Sequence, residues 1–170
     1  MGGSVPHPSR AALIASFDPP DPAAAAELAD RLTGYQVPAG REWAISVIAG
    51  VARQARSFSD RALPLEDCLR ALSSPWARLR ALRETAAHPW PMSRLWADMV
   101  RAVSGPERAR PATLLATAAY LAGDQVVASI AIEIALRSTP GDHTADAIYM
   151  AIHMGLPPEA LKELLGVMTE

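Results

Sequence analysis

Glu84 and His88 stand four residues apart in a stretch whose apolar spacing predicts a helix, so both would share one face. Paired metal ligands use that spacing. No second pair and no cysteine partner accompany them, and His88 directly precedes Pro89, where a helix must end. An imidazole at a solvated helix C-terminus, favoured there by the helix dipole, accounts for the pair without a metal. Asp142, His143, Thr144 and Asp146 place carboxylates beside an imidazole, the minimum for acid–base work. The same residues read equally as a loop and a helix start: Asp142 or Thr144 caps, and acidic residues suit the positive end of the dipole. His153, flanked by Tyr149 and Met150, reads as a half-buried polar contact, and His7 lies in the chain's opening residues. The sequence holds no nucleophile elbow, Walker loop, dinucleotide glycine fingerprint or zinc spacing. No catalytic, cofactor-binding or metal site is therefore assigned.

Arginine is the other chemistry-bearing residue. Fifteen of the sixteen basic residues are arginine, Lys162 being the exception. Residues 61–110 carry nine basic against five acidic residues, and residues 111–170 two against seven. Arg78, Arg80, Arg83, Arg94 and Arg101, followed by Arg108 and Arg110 and interleaved with Trp76, Trp90 and Trp96, form a basic and aromatic concentration. Such a patch suits nucleic acid or an acidic partner. Trp76 and Trp96 fall on apolar faces and are expected in the core. Pairing of the basic middle with the acidic final third, within one chain or between two copies, competes with nucleic acid for those arginines.

The elements that must position these residues are helices. The chain has 170 residues, half of them hydrophobic, with 34 alanines and only nine aromatics, the composition of tightly stacked helices around one core. Proline and glycine mark the ends. Asp21 and Pro22 open a helix that Gly34 ends, and residues 35–40 form a turn. Residues 41–57 follow, with Trp43, Val47, Ile48, Val51 and Ala55 on one face. Pro64 opens a short helix to Leu72. Ser74 and Pro75 open another, with Trp76, Leu79 and Leu82 inward. Residues 91–103 carry Leu95, Trp96, Met99 and Val103 on one side. Four more segments follow at 111–122, 124–138, 144–154 and 157–168. Ile130, Ile132 and Ile134 alternate with period two, as in a strand, but fourteen residues with interspersed alanines and an acidic start predict a helix. The expected fold is all-α, about eight to ten short helices. Residues 1–8 are a flexible start or cloning remnant, and 9–170 a single helical domain with a repeat-like part at 111–168. Lone Cys68, spaced with Leu65, Leu69 and Leu72, reads as a buried hydrophobe. With no membrane span or signal peptide in view, the expected location is cytoplasmic.

Gly123, Ala128, Ile132 and Ala135 recur 32 residues later as Gly155, Ala160, Leu164 and Val167. This is the spacing of helix–turn–helix repeats. The first copy resembles a tetratricopeptide repeat, with Leu115, Ala116, Gly123, Ala128, Ile132, Ala135, Leu136 and Pro140 at matching positions and small Ala112 and Ala119 where bulky residues are usual. The sequence from Arg110 to Leu161, with Leu114–Leu115, Gly123–Asp124, the run from Ala128 to Leu136 with Pro140, and the closing Gly155 to Pro158, resembles the actinobacterial domain-of-unknown-function 4192 family. "PSRAALIASFDP" at residues 8–19 resembles a segment midway through such proteins. The resemblance implies a strand-containing half upstream, so the chain reads as a fragment or short homologue; it implies no activity. The leading expectation is a protein-interaction or scaffold module. Its partner surface is expected at Tyr120, Tyr149, Met150 and Met154, and the partner is a protein or a second copy. The alternatives are a nucleic-acid-associated regulator using the arginine-rich middle, and the helical half of an enzyme whose catalytic part is absent.

Overall fold

The computed structural model describes residues 8–33, 40–57 and 62–167. Among them are ten α-helices and one 3-10 turn, with no strand: α1 (Arg10–Ala15), α2 (Pro22–Leu32), α3 (Arg41–Arg56), α4 (Leu65–Ala71), α5 (Pro75–Ala87), α6 (Pro89–Ala102), η1 (Gly105–Arg108), α7 (Ala109–Leu121), α8 (Gln125–Ser138), α9 (His143–His153) and α10 (Pro158–Val167). The expected ends at Gly34 and Met168, the turn at 35–39 and the start before Pro8 lie outside the described residues.

Helix starts follow the local chemistry. Asp21, Asp124 and Asp142 accept from the backbone N–H groups of Ala24, Val127 and Ala145 at 2.9–3.0 Å, satisfying donors the helix itself cannot. Ser9 caps α1 in the same way, at 3.1 Å from Ala12 N. Pro22, Pro75 and Pro89 occupy first turns, where the missing N–H costs nothing.

Two ends are built alike. Gly123 and Gly155 take φ of +85° and +66°. After α7, Gly123 N–H reaches Tyr120 O and Asp124 N–H reaches Ala119 O. After α9, Gly155 N–H reaches Ile152 O and Leu156 N–H reaches Ala151 O. Both are Schellman closures, which need a residue free to sit at positive φ. The Tyr120 hydroxyl then donates to Leu156 O at 2.6 Å, tying the two turns together at one end of the molecule.

α7 is the central helix. Every residue from 111 to 120 is buried, and α5, α6, α8, α9 and α10 all pack against it. Ala112, Ala116, Ala118 and Ala119 let those neighbours approach closely. The Thr113 and Thr117 hydroxyls donate to the carbonyls four residues back, at 2.9 Å, so no polar atom is stranded. α8 forms the most extensive partner, and Ile130, Ile132 and Ile134 are all buried in it. Their period-two spacing reflects a helix covered on more than one side. Trp96 is fully buried between layers, its Nε1–H donating to Thr85 Oγ1 at 2.9 Å, and that hydroxyl donates to Ala81 O at 2.7 Å.

Three expectations change. The 32-residue repeat persists in the turns but not in the packing. α7 and α8 close as a hairpin, whereas α10 crosses back to lie on α5 and α7. Its inward residues are Leu161 and Leu165, while Leu164 is exposed and Ala160 half-buried, so the second copy's core face is shifted by one position. Trp76 is not core: it lies on the outer face of α5, with the Arg41 guanidinium 4.1 Å from its ring centroid. Leu79 is half-buried rather than inward, and Leu82 is buried as expected.

The positive φ at Gly123 sets a test. A Cβ there meets nothing within 4 Å, so the cost of Gly123→Val is backbone strain alone. The expected loss is about 1–2 kcal/mol, read as a lower denaturant midpoint. An unchanged midpoint would remove the Schellman closure from the account.

Candidate functional site

The end of the molecule where the two Schellman turns meet gathers exposed apolar side chains. Met150 and Met154 lie on the outer side of α9, 53% and 77% exposed. Val126, at the start of α8, is 51% exposed. α8 and α9 pack together across a four-residue connection at 139–142, so α9 returns along α8 and ends where α8 begins. Tyr149 is half-buried behind Met150, its ring stacked on His153 at 3.8 Å between centroids. His153 Nδ1 lies 3.0 Å from Tyr149 O, and its imidazole is exposed. Exposed Asp124 caps α8 at this end, and exposed Asp146 lies one turn before Met150 on α9.

Of the four residues expected to meet a partner, Tyr149, Met150 and Met154 share this end. Tyr120 does not reach its surface: the ring is buried, and its hydroxyl is committed to Leu156 O. Val126 was not recognised from the sequence, where it reads as one more apolar residue of a regular helix. Its position directly after a turn, ahead of the buried stripe, is the signal that separates it.

The arginine-rich middle is mostly engaged in holding the fold. Arg80 and Arg56 grip the nearly buried Glu84 carboxylate from two helices, at 2.6 and 2.5 Å. Glu84 is thereby occupied, and His88, exposed at the junction of α5 and α6, is no partner to it in a metal site. Arg101 Nε donates to Ser16 O at 2.7 Å, and Arg108 donates to Val100 O and Phe17 O, fastening the N-terminal segment. Arg78 donates to Leu72 O and Ser73 O, the C-cap carbonyl of α4 and the one after it. Arg83 and Arg94 are exposed and hydrogen-bond to none of the described residues. With Trp90, 65% exposed one turn before Arg94, they are what remains of the expected basic and aromatic patch.

Two further groups bear on chemistry. Cys68 is fully buried, and burial, then the Asp67 charge, push its thiol well above its ordinary value. Asp142 spends an oxygen on capping α9 rather than on His143. Among the described residues, no three His, Cys, Asp or Glu side chains come together to hold a metal ion, and no helix is long and apolar enough to cross a membrane.

Helices wrapped around one fully enclosed helix, with polar side chains spent on ends and junctions, define an all-α helical array. The chain belongs to the family described as domain of unknown function (DUF4192), whose sequence model matches residues 1–159. No curated protein and no solved structure matches it.

The state of Cys68 is directly measurable. A buried neutral thiol should resist thiol-specific reagents in the native protein at pH 8 and react fully after unfolding. Because its proton is held more tightly when folded, the stability it contributes is present below the unfolded value of 9.0 and is lost as pH rises above it. Rapid native labelling would contradict this placement.

Proposed function

We propose that the chain is a protein-interaction module without catalytic activity of its own, and that its docking surface is the acidic, methionine-bearing end around Val126, Met150 and Met154. One observation carries the reading. The final third carries an excess of acidic residues and the middle an excess of arginine, yet among the described residues no ion pair joins residues 61–110 to residues 111–167. Among the described residues the two charges therefore make no direct pair within one copy. A partner that presents basic and apolar side chains together fits the acidic end, and a second copy has such a surface in Arg83, Trp90 and Arg94. Methionine side chains, unbranched and polarizable, adapt to a partner's shape. The close, alanine-lined crossing of α7 and α8, similar to a tetratricopeptide hairpin, supplies the rigid support behind the surface. The reading places the chain in the cytoplasm, where a lone reduced thiol is at home.

Association of unlike surfaces is head-to-tail, and exposed ion pairs contribute only about 0–1 kcal/mol each and weaken with salt. Sedimentation velocity at low salt should therefore show association that dissolves at high salt and is abolished by Met150→Glu with Met154→Glu. A monomer under both salt conditions sinks self-association. Exposed Trp90 beside Arg94 supports a second reading, contact with single-stranded nucleic acid. Its mark is an affinity that falls steeply with salt and drops on Trp90→Ala.

A further inference from the structure

Every half-buried arginine among the described residues except one has a carboxylate within 4.0 Å: Arg56, Arg70, Arg80, Arg101, Arg108 and Arg110. The exception is Arg78. Its Nη1 donates to two neutral carbonyls, Leu72 O at 3.1 Å and Ser73 O at 3.0 Å. Its Nε and Nη2 donate to none of the described residues. Removing a cation from water without a contact anion is costly, and the usual remedy is a carboxylate or a bound ion.

Arg78 faces a partly open cleft where α5, α7 and the start of α9 meet, with a volume of about 30 Å³. That is room for two or so waters, or for the oxygens of a small anion whose remainder faces solvent. Arg110 lines the same cleft, and the two guanidinium groups converge on one residue, Arg110 Nη1 reaching Ser73 Oγ at 3.3 Å. Arg110 spends only Nη1, on Ser73 and on Glu107 at 3.0 Å. Its other nitrogens donate to none of the described residues. Thr144, exposed in the first turn of α9, completes the rim with a hydroxyl that has no hydrogen-bond partner among the described residues. Thr113 is no donor here, since its hydroxyl is committed to Ala109 O.

Burial first, and then the charge of Arg110, lower the proton affinity of Arg78, while Asp142 opposes them. Asp142 lines the cleft but keeps an oxygen on Ala145 N–H and lies beyond 4.0 Å of Arg78. What the cleft lacks is an anionic group in contact with Arg78.

We propose that this cleft binds one small oxyanion group, phosphate-like or carboxylate, with Arg78 and Arg110 donating to its oxygens and Thr144 closing the rim. Paired, preoriented guanidinium donors suit that chemistry better than lysines would. The nearby Asp142 and Glu107 charges hold the affinity to the weak range expected of a site that exchanges its ligand.

The test uses the full chain and sodium salts of phosphate, sulfate and acetate, each compared with chloride at equal ionic strength. The melting midpoint should rise saturably with at least one oxyanion, as for any ligand that binds only the native state. Phosphate and sulfate acting without acetate assign a tetrahedral group, and acetate alone a carboxylate. Thr144→Glu places a carboxylate at a helix start, where it is tolerated or favourable. The variant should keep or raise its basal midpoint and weaken anion binding by roughly tenfold or more. Arg78→Gln should abolish the response; should it fail to fold, Thr144→Glu decides alone. A midpoint that follows ionic strength regardless of anion, or a response undiminished in Thr144→Glu, overturns the proposal.

Discussion

Residues 111–120 are buried on every side of α7, and a helix enclosed in this way can satisfy its backbone only by its own hydrogen bonds. Its side chains must then be small enough for neighbours to approach and must leave no polar atom without a partner. Alanine and threonine meet both demands, the threonines by donating back along the helix. Leu114, Leu115 and Tyr120 add bulk from α7 itself, and the surrounding helices supply the rest: Trp96, Met92 and Met99 from α6, and the three isoleucines of α8. Few aromatics are needed because the centre of the molecule is backbone and methyl groups.

Charge has a different task in each part. In α3 and α5 it is structural, with Glu84 shared by Arg56 and Arg80 so that two helices are held in register by one nearly buried carboxylate. Breaking such a cluster by removing one partner costs more than the intact cluster contributes. At the meeting of α5, α7 and α9, Arg78 stands without that partner. In the final third, aspartates cap helices, and exposed Asp146 lies one turn before Met150. A count of arginines misleads as to function here, since in residues 62–110 all but Arg83 and Arg94 are half-buried and bonded within the fold.

Helix identity was legible from the sequence because proline, glycine and aspartate have local reasons to be where they are. Asp21, Asp124 and Asp142 cap as their positions imply, and Gly123 and Gly155 take the backbone angles that a helix end requires. α1 escaped notice: six residues carry too little periodicity, and only the Ser9 cap marks its start. What local reasoning could not supply is the direction of each face. Trp76 and Trp96 look equivalent in the sequence, yet Trp96 finds Thr85 across the interior while Trp76 is left outside with Arg41. Tyr120 is expected at the partner surface as one of the larger side chains of the C-terminal helices, but a turn 36 residues further on claims its hydroxyl. The shifted face of α10 has the same origin, because only the course of α10 over α5 decides which leucines turn inward. Of the docking end, Tyr149, Met150 and Met154 were readable as residues, but their gathering with Val126 follows from two turns being tied together.

The fastening of α1 sets the order in which the molecule opens. None of its six residues is buried, and it is held at its edges: Arg10 to Glu133, and Ser16 and Phe17 carbonyls to Arg101 and Arg108, with the Phe17 ring under Arg101. A segment secured by ionic and polar ties, with the Phe17 ring and the half-buried Leu13 and Ile14 as its apolar anchors, separates at smaller cost than helices wrapped around α7. Its amide protons should exchange with solvent first, in a sub-global opening that leaves the array behind it intact. Proteases would find this segment before any other part of the described fold.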